Sequence, residues 1–212
     1  MRNKMKQLAW LVFFLICAFY SGYAFYMGGV EGLSLLGVVQ EAPRRAVPLV
    51  FVVHAFTGGA ALLIGPLQFN GRLLSKKRRF HHLLGRIYVG ATLTTSVAAF
   101  WSTLFFDVPP AAKYVMGVLA VLWFGSTAIA FRYIHRRRVT AHREWMIRSF
   151  SLSFFFVTFS FWVPGLAGTS LPEAVSYPLA VFLSWALNLL AAELWIRYSH
   201  PRWVANVVRQ TA

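Results

Sequence analysis

Six stretches of about twenty apolar residues each, separated by short polar runs, constrain this chain more than any other feature of its sequence. They cover roughly residues 8–28, 47–69, 83–106, 112–134, 145–167 and 176–198. An α-helix rising 1.5 Å per residue needs ~20 residues to cross a ~30 Å hydrocarbon layer. Lipid offers backbone N–H and C=O groups no partner, and no strand-like alternation is present, so helices are the consistent solution. Composition agrees, with 58% hydrophobic residues and only 13% charged, against about 25% charged in soluble domains. A water-facing globular enzyme is thereby excluded. With no repeats or low-complexity linkers, residues 1–212 read as one polytopic membrane domain.

The net charge of +15 would suggest nucleic acid in a soluble protein. Its distribution gives another origin. With the N-terminus in the cytoplasm, Arg2, Lys4, Lys6, Arg72, Lys76, Lys77, Arg78, Arg79, Arg86, Arg132, Arg136, Arg137, Arg138, Arg143, Arg148, Arg197, Arg202 and Arg209 all fall on that side. Only Arg44, Arg45 and Lys113 fall outside, a split of eighteen against three. Loops retained in the cytoplasm collect Lys and Arg. The expectation is an inner-membrane protein with both termini cytoplasmic, helices two to five forming the central bundle, and basic loops against anionic headgroups rather than nucleic acid. The first stretch resembles a signal peptide up to Gly22-Tyr-Ala24, but its apolar run exceeds the usual 7 to 15 residues, so it reads as a retained span. Cys17, the only cysteine, lies inside that span. No Cys-x-x-Cys-His, metalloprotease, P-loop or dinucleotide motif occurs.

Ionisable residues in or beside a membrane are costly and mark candidate sites. At 100° per residue, His54 shares a face with Gly58, Ala61, Gly65 and Gln68. Small residues so spaced serve close helix packing, or leave bare backbone against which a flat cofactor can lie. His81 shares a face with Gly85, Tyr88, Thr92, Thr95 and Ala99, so it is expected to look inward. His82, about 100° away with Arg86 and Val89, belongs at headgroup level. His142 continues through Met146, Ser149, Ser153, Phe156 and Ser160, a face that seeks partners inside a bundle. His135 and His200 have no such stripe and are expected in solvent.

Three runs then act together: His54-Ala-Phe-Thr-Gly58-Gly-Ala-Ala-Leu-Leu-Ile-Gly65-Pro-Leu-Gln68-Phe69, His81-His-Leu-Leu-Gly85-Arg86-Ile-Tyr88, and His142-Arg143-Glu-Trp145-Met146-Ile-Arg148-Ser149. Together they resemble the DUF2306 family of bacterial multi-pass membrane proteins, over roughly residues 48–165. The resemblance implies a single histidine before the Gly-Arg-x-Tyr run, at the position of His81, with His82 where a basic residue is common. It implies no chemistry.

Three functions are compatible with these residues. The first is a redox protein binding haem b or a quinone. His81 and His142 both start helices at the cytoplasmic edge and could ligate one iron, with Gly58, Gly65, Gly85, Tyr88, Arg86 and Arg148 as further cofactor-binding candidates. His54 lies 15 residues before Phe69, about 22 Å away along the axis, and cannot join that pair. It is the candidate catalytic residue of a second, outer site, either handling protons beside a quinone or ligating haem opposite Met27 or Met116. The second function is a small-molecule transporter, against which no repeat symmetry or broken mid-membrane helix is visible. The third is an accessory membrane-binding protein without cofactor.

Overall fold

The computed structural model describes the backbone of residues 2–38 and 47–211 and the side chains of residues 4–38, 47–71 and 75–199. The expectations placed on Arg2, Arg44, Arg45, Arg72, His200, Arg202 and Arg209 lie outside the described side chains. Within these limits the chain is all helical: α1 (Arg2–Leu35), α2 (Pro48–Gln68), α3 (Gly71–Lys76), α4 (Arg78–Thr103), α5 (Pro110–His135), α6 (Val139–Ser153), α7 (Phe155–Ala167) and α8 (Glu173–Thr211). Six helical segments are long and apolar enough to cross a membrane, with α6 and α7 together forming the fifth. Large apolar side chains face outward along these segments, among them Phe19, Val97, Val121, Phe161 and Leu194, as lipid-facing surfaces require.

Local chemistry sets the ends of the segments. α2 and α5 open on Pro48 and Pro110, where a proline loses no intrahelical bond and its fixed φ suits the first turn. α1 and α5 close with the same paired bonds, Val38 N–H to Leu33 O at 2.9 Å and Arg138 N–H to Tyr133 O at 3.0 Å. This closure puts one residue in the left-handed region. Gly37 fills it after α1 (φ 72°), and Arg137 fills it after α5 (φ 57°). The second turn reverses the chain within a few residues and brings the start of α6 beside the end of α5.

Each helix packs against its predecessor in the membrane: α1 on α2, α2 on α4, α4 on α5 and α5 on α6, while α8 lies against α5, α6 and α7. Small residues permit the close approaches. A Cβ on Gly59 would strike Phe25 of α1, and one on Gly58 would lie 3.1 Å from Thr95 Oγ1 of α4. Deeper in the bundle Tyr88 is fully buried, and its hydroxyl meets Ser149 Oγ at 2.9 Å and Ser153 Oγ at 3.1 Å. Thr127 Oγ1 bonds Ser149 Oγ at 2.7 Å, and Trp123 Nε1 donates to Ser153 Oγ at 2.9 Å. These polar groups satisfy one another where lipid offers nothing. On the far side Arg148 makes a two-pronged ion pair with Glu193 of α8 and stacks on Trp145.

The fifth span departs from the unbroken helix expected from sequence. It is interrupted at Phe154 (φ −71°, ψ −7°), between α6 and α7. Neither proline nor glycine stands there. Hydroxyls return to the backbone just before the interruption, Ser151 to Arg148 O and Ser153 to Ser149 O, and Val157 N–H turns back on Phe154 O at 3.1 Å. Such competition with the ladder bends helices.

Candidate functional site

Two cavities of about 550 Å³ each lie at opposite ends of the bundle and share no lining residue. The first is built where α2 ends and where α4 and α6 begin. Gln68, Phe69, Asn70, His81, Gly85, Arg86, Phe131, His142, Arg143 and Met146 are among its walls. Helix starts place the two histidines there, since His81 is the fourth residue of α4 and His142 the fourth of α6.

Hydrogen bonds fix the state of the His142 ring. Its Nδ1 lies 2.9 Å from the carbonyl of Ala130 on α5. A carbonyl can only accept, so Nδ1 carries the proton and neutral His142 keeps its lone pair at Nε2. His81 is different. Among the described residues its buried Nδ1 has no hydrogen-bond partner, nor has Nε2 of Gln68 on the same cavity wall. Unpartnered polar atoms of this kind are costly in a bundle interior, and a ligand in the cavity would relieve them. Arg78, Arg86 and Arg143 supply cationic groups to the walls. His82 is exposed, its ring edge-on to that of His81. His135 also reaches the rim of this cavity, against Phe131.

The second cavity lies among α1, α2, α4, α5, α6, α7 and the start of α8. His54, Gly58, Ser102, Asp107, Trp123 and Tyr177 line it, together with Met27 and Met116. His54 Nδ1 lies 2.9 Å from Thr95 Oγ1 and 3.2 Å from Thr95 O. Thr95 spends its own hydroxyl proton on His54 O at 3.0 Å. Both Thr95 oxygens therefore accept, and Nδ1 is again the protonated nitrogen. The two histidines at opposite ends are held by one device, a ring N–H tied to the backbone of the neighbouring helix.

The remaining residues singled out from sequence are distributed unevenly. Gly85 lines the first cavity, where a Cβ would lie 3.2 Å from Gln68 Oε1. Gly65 lines neither of these cavities, because the ring of Phe150 occupies its bare face. Tyr88 is in the buried hydroxyl cluster rather than on a cavity wall, and Arg148 is turned to Glu193. Sequence reasoning missed Thr95 as the partner of His54, and it missed Asn70 and Ser102 as wall residues. A helical face tells which residues look inward without telling which helix they meet.

Comparison with known proteins adds one result. No curated protein and no solved structure matches the chain. The family model described as "Predicted membrane protein (DUF2306)" matches residues 51–196, a stretch that contains both cavity histidine sets, the third to fifth membrane-crossing segments and most of the second and sixth. The chain belongs to the DUF2306 family of membrane proteins.

Proposed function

We propose that the chain is an electron-transfer protein of the inner membrane whose first cavity holds a haem b between His81 and His142. The observation that carries this reading is that His81 and His142, from two different helices, both line one cavity, whose wall also includes His82 and His135. His142 has its Nδ1–H anchored, as metal-ligating histidines have, and offers Nε2. His81 contributes a ring whose Nδ1 has no partner among the described residues. Among the described residues no cluster of three or more metal-binding side chains occurs, and haem b needs only two axial ligands because its porphyrin supplies the rest.

The other walls suit the same ligand. Phe131, Ile134, Val139 and Val89 are apolar surfaces for a flat macrocycle, and Arg78 and Arg86 can hold its carboxylates. Bound there, haem supplies one-electron chemistry. The chain's residues hold and orient it: Ala130 O fixes the His142 ring, and Gly85 keeps the wall beside Gln68 free of a side chain. The charge split supports an orientation with this cavity at the cytoplasmic face, both termini on that side and the second to fifth spans as its frame.

An absorbance spectrum of protein purified after expression with ample haem supply tests the reading. A Soret band is expected, lost in His81→Ala and His142→Ala and kept in His82→Ala and His54→Gln. Absence of a Soret band after reconstitution of folded protein with hemin, or its survival in the His81→Ala/His142→Ala double variant, would overturn it.

A further inference from the structure

The second cavity has a different chemistry, read from what its polar atoms still lack. Thr103 Oγ1 donates to Phe100 O at 2.7 Å, and Ser153 Oγ is taken up by Tyr88 and Trp123. Exposed Tyr23 and Asp107 and part-buried Tyr177 also line the cavity, and on α2 and α4 two groups remain. Ser102 is 1% exposed, and its hydroxyl has no partner among the described residues. His54 uses Nδ1 on Thr95 and has no hydrogen bond at Nε2 among the described residues. No carboxylate is among the ring's hydrogen-bond partners, which are a carbonyl and a hydroxyl, so the neutral imidazole presents Nε2 as an acceptor only.

Around these two groups the walls are aromatic and aliphatic, including Phe51, Trp123, Phe155 and Phe159. A ligand suited to this space is apolar, ring-shaped and able to reach it from lipid. It also carries a hydroxyl that donates to His54. A second oxygen on the ring can meet Ser102, which lies seven residues beyond Thr95 on the same face of α4, about 10 Å further along the axis.

We propose that this cavity binds the head ring of a lipid-soluble quinol, and that His54 selects the reduced form over the quinone. A quinol hydroxyl donates to Nε2. The corresponding quinone carbonyl brings a lone pair against a lone pair. The difference of one hydrogen bond is worth about tenfold in affinity. Quinol binding here and haem binding at the other end are separately testable, because the two cavities have no wall residue in common.

The test uses the full chain in lipid nanodiscs under argon, titrated with decylubiquinol and with decylubiquinone and followed by calorimetry. Saturable binding with a preference of about tenfold for decylubiquinol is expected. In His54→Gln, whose amide both donates and accepts, the preference should collapse toward unity while binding survives. Ala99→Phe, which fills the cavity from α4, should abolish binding of both forms and leave any Soret band intact. Equal affinity of the wild type for the two forms, a preference untouched by His54→Gln, or binding that persists in Ala99→Phe overturns the assignment. Should His54→Gln fail to fold, the Ala99→Phe and wild-type titrations decide it.

Discussion

Replacing Gly65 by alanine distinguishes the two uses that a stripe of small residues can have. A Cβ at this position would fall inside the ring of Phe150, on its Cε2 and Cδ2 edge. That ring has little room to retreat, being 6% exposed and hemmed by Phe13 at 5.9 Å, Phe69 at 5.6 Å and Phe154 at 6.5 Å between centroids. Overpacking of a fixed core costs about 1–3 kcal/mol. Against it stands the helix preference for alanine over glycine, about 0.8–1 kcal/mol. The net is a loss of about 1 kcal/mol, or roughly 2–4 °C in melting temperature for a chain of this size.

Gly90→Ala is the internal control. Nothing lies within 4 Å of its added Cβ, so only the helix preference acts and the melting temperature should hold or rise. The assay is thermal unfolding of detergent-purified protein, followed by the loss of the monodisperse peak in size-exclusion chromatography. The Gly65→Ala penalty should vanish in a Phe150→Ala background, a coupling that a double-mutant cycle reads directly. If Gly65→Ala melts like Gly90→Ala, or keeps its penalty without Phe150, the packing explanation is wrong.

Four other outcomes follow from the geometry. Glu193→Gln removes one charge of a part-exposed pair, with side chains 20% and 33% accessible, and should lower stability by about 1 kcal/mol; the same substitution in an Arg148→Ala background should cost nothing further. Arg137→Gly relieves a non-glycine left-handed residue and should raise the melting temperature by a few degrees, the equivalent of about 1 kcal/mol; a fall would show that the Arg137 side chain holds the turn. Tyr88→Phe deletes two hydroxyl contacts while Ser149 and Ser153 keep Thr127 and Trp123, so the loss should be about 1–2 kcal/mol in chemical denaturation and far smaller than that of Tyr88→Ala. Reporter fusions after Arg79 and Arg138 should register cytoplasm, and fusions at Pro110 and Gly168 the outside; reversal at two of these sites would invert the orientation.

The six spans were legible because the bilayer leaves the backbone one solution, and apolar length alone declares it. The inward faces of His81 and His142 were legible for a related reason. A polar stripe on a helix in lipid must turn toward other helices, and Tyr88, Ser149 and Ser153 do so. What periodicity could not supply was the partner across the interface. Thr95 was placed on the face of His81, yet its contact is with His54 of α2. Arg148 carried the marks of a ligand-holding cation, but its charge is met by Glu193, 45 residues later on α8. Gly65 remained ambiguous because a ring of the protein and a ring of a cofactor demand the same bare backbone. The interruption at Phe154 was invisible because neither proline nor glycine marks it.

Between the cavities the bundle is closed by side chains that have partners. Trp123 and Ser153 belong to the wall of the His54 cavity, and Gly85, three residues before Tyr88, belongs to the wall of the His81 cavity. Tyr88, Thr127 and Ser149 fill the space between and are fully buried, and their hydroxyls are bonded to one another. A solute crossing from one cavity to the other would have to break several buried hydrogen bonds in a medium that offers no replacement, each costing about 1 kcal/mol or more. An electron needs no such opening. The packed, hydrogen-bonded centre therefore keeps the two cavities apart, as two independent binding sites require.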